Sequence, residues 1–186
     1  MISLPFRRTP RNPTIDALYG MIVAQARSPS FYLSYGVPDT VAGRLDMIVL
    51  HLVLLLRRLA TAAPSIGQQV FDRFCGDMDD NFREMGVGDL AVPKQMRRVA
   101  EAFYGRAKAY ESALAADDTG ALAAAVARNV FGLPEPPLGA RRLAAYMLEA
   151  GRRLSGRDAE ALARAELEFP DPEAIAPPGV QARSRP

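Results

Sequence analysis

Tryptophan is absent from this chain, histidine and cysteine occur once each, at His51 and Cys75, and lysine occurs only at Lys94 and Lys108. A single cysteine rules out an intrachain disulfide, and one histidine with one cysteine cannot supply the side chains of a Cys/His zinc cluster. A cytoplasmic chain with neither structural metal nor cofactor is expected. Strand patterning is missing too: nowhere do apolar and polar residues alternate with β-branched enrichment, and no internal repeat is found. Residues 1–12 carry Arg7, Arg8 and Arg11 beside Leu4 and Phe6. They lack the apolar core of about 7 to 15 residues that a secretory signal needs, so a flexible basic segment is expected, able at most to touch an anionic membrane surface weakly.

Apolar material is abundant, at 49% of 186 residues, enough for the core of one ordinary domain. Net charge is only +2, but nearly all of the basic residues are arginine. Its planar, weakly hydrated fork suits fixed contacts to carboxylate, phosphate or headgroups, although codon bias would produce the same excess.

Periodicity lays out the helices. Asn12-Pro13 reads as a cap followed by proline at the first helical position, and Ile15, Leu18, Tyr19, Ile22 and Val23 keep helical spacing to about Arg27. Ser28-Pro29-Ser30 breaks that helix. The segment Phe31-Tyr32-Leu33-Ser34-Tyr35-Gly36-Val37-Pro38 then reads as an aromatic-rich loop, and Asp39 or Thr40 caps a long helix containing the run Gly43 to Leu56. That run falls short of the roughly 20 apolar residues of a membrane span, so a buried central helix is expected. Val70, Phe71, Phe74, Met78, Phe82 and Met85 mark a third helix, stopped at Gly86-Val87-Gly88, and Met96, Val99, Phe103, Ala107, Tyr110 and Leu114 a fourth, entered through Asp89 and Pro93. The two form a helical hairpin. Further helices are expected from Asp117–Thr119 to Phe131, from Leu138 to Leu154, and in a short Ala/Glu stretch before Phe169. The fold class is all-α: one compact multi-helix domain of about six or seven helices with no β-sheet.

Three constellations invite chemistry. Asp77, Asp79 and Asp80 resemble a metal site, but an EF-hand loop counted from Asp77 would need glycine and glutamate where Phe82 and Gly88 stand, so a solvated face or a surface for a basic partner is favoured. His51 must find a buried partner or look into a pocket, and haem ligation or acid-base work stay open beside the structural reading. Asp46 lies about 140° from it on the helical wheel and is no obvious intrahelical partner. No local nucleophile signature accompanies either residue, so no catalytic residue is assigned. Lys94, Arg97 and Arg98 could meet phosphate, but neither a strong basic excess nor a recognisable nucleic-acid-reading module is present, so RNA binding is secondary and no DNA partner is expected.

The motifs Leu18-Tyr19-Gly20, Gln25-Ala26-Arg27, Phe31-Tyr32, Tyr35 to Thr40, Gly43 to Met47, Arg83 to Leu90 and Ala102 to Arg106 resemble the ubiquinol-cytochrome c chaperone family. The likeness runs in order over roughly Ile15 to Leu114. It implies an assembly chaperone, not an enzyme, that binds newly made cytochrome b and supports biogenesis of ubiquinol-cytochrome c reductase, respiratory complex III. A small co-chaperone, the ribosome or a membrane surface are implied as further partners. The chain reads as a bacterial member, cytoplasmic or peripheral at the inner face of the cytoplasmic membrane, because no long targeting extension precedes the shared region. A chaperone domain over 13–168 is expected, followed by a disordered Pro-rich tail over 169–186. The expected client groove draws on Phe31, Tyr32, Tyr35, Asp39, Asp46, Met47, His51, Met78, Met85 and Asp89. The alternative is a binding module for a quinone or lipid held between the His51 helix and the aromatic segment.

Overall fold

The computed structural model describes residues 12–176. The expected flexible segment 1–12 lies outside them except for Asn12, as does the tail from 177 onward.

The first helix, α1 (Pro13–Ala26), begins as its sequence dictates. The Asn12 side chain accepts the Thr14 N–H at 3.1 Å, and Pro13 occupies a position whose missing N–H costs nothing. After the break at Ser28, the aromatic segment opens with one helical turn, α2 (Pro29–Leu33), where a loop was expected. Proline again starts the turn, and burying Phe31 completely fixes it in place. The central helix α3 (Val41–Ala62) is capped by Thr40 Oγ1 on the Gly43 N–H at 3.1 Å. Every residue from Met47 to Leu56 is buried, because α1, α4, α5 and α7 pack around it. That explains a helix apolar on all sides.

The hairpin follows as α4 (Pro64–Glu84) and α5 (Val92–Ala115). Gly67 lets α4 approach α3 closely: a Cβ there would stand 3.2 Å from that of Leu59. Asp118 accepts the Ala121 N–H at 2.9 Å to start α6 (Thr119–Val126), which continues as a π-helical turn, Ala127–Phe131, and ends on Gly132 at φ 65°. A left-handed terminal residue of this kind favours glycine. Then come α7 (Leu138–Ser155) and the single turn α8 (Ala159–Ala163). Six helices thus have eight or more residues and two are single turns, with no strand among the described residues.

One boundary differs from expectation. The chain from Phe169 to Ala176 is ordered, returning over α1, α2 and α7 as a strap. Phe169, Pro170 and Pro172 are buried, and Pro172–Ala174 forms a 3-10 turn. Proline content alone suggested a tail without regular structure. The long-range partners that hold it, Gln25, Ser30, Tyr35 and Arg142, are invisible to local composition.

Candidate functional site

His51 is fully buried, and its hydrogen bonds fix its tautomer. Nδ1 faces the Met47 carbonyl at 2.8 Å, which can only accept, so Nδ1 carries the proton. Nε2 therefore accepts from the Tyr146 hydroxyl at 2.8 Å, and that hydroxyl in turn accepts from Gln25 Nε2 at 3.0 Å. Burial lowers the imidazole pKa to about 4, so His51 is neutral at physiological pH. Phe31, Tyr146 and Phe169 surround it edge-on, their ring centroids 5.6, 5.5 and 5.1 Å from that of the imidazole. At the place considered for a quinone or lipid, the His51 ring is packed by Phe31 of the aromatic segment and by Phe169. His51 is thus a satisfied core histidine that ties α3 to α7.

The other expected groove residues do not gather into one surface. Phe31, Tyr35 and Met47 are at most 2% exposed and belong to the core. Tyr35 donates its hydroxyl to the Pro172 carbonyl at 2.6 Å, and the half-buried Tyr32 donates to the Ala26 carbonyl at 2.7 Å. Desolvation raises the pKa of both phenols, Tyr35 to about 12. Asp39 pairs with Arg44 at 2.6 Å in the open, which holds its carboxyl below the usual range. Asp46 meets Arg106 of α5 at 2.6 Å; burial raises its pKa, and the guanidinium opposes that shift. Met78 is buried, whereas Met85 is 63% exposed. Asp89 pairs with Arg83 across the hairpin turn instead of capping α5, which starts after Ala91. The acidic run is likewise partnered, with Asp77 on Tyr19 at 2.8 Å and Asp79 on Arg83 at 2.7 Å.

An apolar recess does open elsewhere, between α4 and α5. It measures about 320 Å³, and Phe71, Phe74, Cys75, Met96, Val99 and Tyr104 line most of it. Phe71, Phe74 and Phe103 stack in tilted pairs behind it, with centroids 4.9 to 6.3 Å apart. Burial pushes the Cys75 thiol up to about 12, so it is a protonated apolar group and not a nucleophile. The turn joining the two helices exposes Met85 and almost the whole of Leu90, at 99%, shortly before the lining residue Pro93. Arg97 reaches the mouth, and Lys94 and Arg98 share its exposed stretch of α5. None of these three cations is in an ion pair among the described residues.

The arrangement offers an open apolar seat, suited to holding an apolar segment, with Arg97 and Glu101 as the charged groups in its lining. Of the expected site residues only Arg97 lines it; Lys94 and Arg98 are its exposed neighbours on α5, and Met85 lies on the hairpin turn outside the lining. Leu90, Cys75, Val99 and Tyr104 escaped the sequence reading. The α5 stripe suggested Val99 as core, while Leu90 lies in a turn where hydrophobicity has no periodicity to betray it.

A model of the family described as "Ubiquinol-cytochrome C chaperone" matches residues 33–169. Among solved structures, the chain resembles the crystal structure of the Cbp3 homolog from Brucella abortus, at 39% identity, covering 88% of this chain and 92% of that one, with a TM-score of 0.80. A search of curated proteins gives no match. Both the recess-lining residues and the His51 network fall largely within the matched stretch, and on that match the chain belongs to the ubiquinol-cytochrome c chaperone family.

Proposed function

We propose that this protein is an assembly chaperone for ubiquinol-cytochrome c reductase that holds an apolar segment of newly made cytochrome b in the α4–α5 recess. Family membership supports the class of function, and the open recess lined by Phe71, Phe74, Met96 and Tyr104, with exposed Leu90 shortly before its lining residue Pro93, carries the assignment of the seat. An isolated apolar patch of this kind on a folded chain marks an interaction surface. Methionine suits the task because its flexible, polarizable side chain adapts to clients of imperfect fit. Lys94, Arg97 and Arg98 complement phosphate at a membrane surface or ribosome, keeping the chaperone where its client emerges. No helix among the described residues is long and apolar enough to cross a membrane.

A photo-crosslinking residue placed at Leu90 tests the seat. It is expected to capture cytochrome b in cells, whereas the same probe at exposed Glu160 on α8 is expected to capture none. Equal capture at both positions, or none at Leu90, would overturn the assignment.

A further inference from the structure

The strap is bound to the domain in a one-sided way. Gln25 Nε2 donates to the Pro170 carbonyl at 3.0 Å, Tyr35 Oη to the Pro172 carbonyl at 2.6 Å, and Arg142 Nε to the Ile175 carbonyl at 2.7 Å. Ser30 Oγ donates to the Glu173 carboxylate at 2.8 Å. Donors stand on the groove and acceptors on the strap. Pro170 and Pro172 have no N–H to satisfy, and the Glu173 N–H is met within the strap by Asp171 at 2.9 Å. The Ala174 N–H is met there too, by the Asp171 carbonyl at 3.2 Å, so the strap meets a groove that offers it donors chiefly as an acceptor. Asp171 and Ile175, on either side of the 3-10 turn, adopt extended dihedrals of −63°, 120° and −82°, 110°.

Strap side chains meet the domain through the buried Pro170 and Pro172, through Ile175 packed on the core, and at two further places. The Phe169 ring enters the cluster of His51, Phe31 and Tyr146, and Glu173 meets Ser30. The other hydrogen bonds go to main-chain carbonyls, which any sequence carries. Recognition of an extended proline-containing segment by an aromatic-lined groove is a recurring peptide-binding mode.

We propose that Gln25, Ser30, Tyr35, Tyr146, His51 and Arg142 form a peptide-recognition groove for an extended acidic segment in which an aromatic residue precedes proline, and that residues 169–176 occupy it in cis. A partner protein displaying such a segment exchanges with the strap. The groove lies apart from the α4–α5 recess, and the inference stands independently of what that recess binds. Because a tethered segment acts at an effective concentration on the order of millimolar, the closed chain resists weak competitors, and loosening the strap unmasks the site.

The test is fluorescence anisotropy with a fluorescein-labelled peptide copying residues 167–177, titrated with the full-length chain. Phe169→Ala is expected to bind the peptide at least about tenfold more tightly than the unmodified chain. Glu173→Lys, which loosens the strap without opening a hole in the aromatic cluster, should act in the same direction. A peptide with alanine in place of its phenylalanine should bind neither variant, and adding Arg142→Ala to Phe169→Ala should abolish binding. Absence of saturable binding to both loosened variants would overturn the proposal, as would equal affinity for the alanine peptide. A collapse of helical circular dichroism in both variants would also overturn it, because the strap would then be an inseparable part of the core.

Discussion

Acidification should destabilise this fold through His51, and the effect can be isolated. The neutral ring fits because Nε2 accepts from Tyr146 while Nδ1–H donates to Met47. Protonating Nε2 would turn it toward the hydroxyl as a donor, forcing that hydroxyl to present its own hydrogen to Gln25, itself a donor here. The folded pKa of about 4 lies below the ordinary 6.5, so the unfolded chain takes up the proton first as pH falls. Stability from neutral His51 is therefore complete above about pH 6.5 and drains away between there and about 4. One pKa unit corresponds to about 1.4 kcal/mol, which makes the total about 3 kcal/mol. That is a sizeable share of the roughly 5–15 kcal/mol typical of a domain. Urea unfolding of the unmodified chain and of His51→Gln at pH 7.5, 6.5, 5.5 and 4.5 gives the assay. Carboxylates titrate in both proteins, so the difference between the two curves reports His51 alone. The advantage of the histidine chain should shrink by about 1.4 kcal/mol per unit in the lower half of the range. Parallel curves, or a histidine chain that gains on acidification, would refute the reasoning.

Other perturbations probe separate contacts. Arg106→Met should cost about 2–3 kcal/mol in denaturant unfolding by stranding the mostly buried Asp46, less than the 3–5 of a fully buried pair, and Asp46→Leu in the same chain should recover much of the loss. Gly139→Ala should lower the melting temperature sharply, since a Cβ there would collide with the Tyr35 carbonyl, whereas Gly105→Ala, with open space around it on α5, should gain about 0.5–1 kcal/mol. Leu90→Asp should change stability by no more than about 0.5 kcal/mol, because the side chain is 99% exposed, yet reduce cytochrome b capture in a crosslinking assay.

Most of the helical frame was legible in the sequence because helix ends carry local chemistry. Asn12-Pro13, Thr40, Asp118 and Gly132 each act at the helix boundary where their residue type belongs. Phe31 and the strap were misjudged for a shared reason. Their conformations are decided by Tyr146 and Arg142, more than a hundred residues from Phe31 and about thirty from the strap, and no window of local sequence holds that information. The aromatic segment reads from sequence equally as a set of interface anchors or as cover for its own helix, and Phe31 and Tyr35 are buried in the core beside His51. Asp46 was rightly separated from His51 by the helical wheel, but its partner, Arg106, emerged only from packing of α3 against α5. The recess was half visible. The phenylalanine and methionine stripes of α4 and α5 are plain in the sequence, while the gap left between them depends on how the two helices pack.

The central claim is that this chain supports assembly of cytochrome b into ubiquinol-cytochrome c reductase. Deleting its gene and recording reduced-minus-oxidised spectra of the membranes tests it most directly. The account predicts a marked loss of the reductase's cytochrome b signal, restored by the unmodified gene but poorly by Leu90→Asp. An undiminished signal in the deletion strain would contradict it.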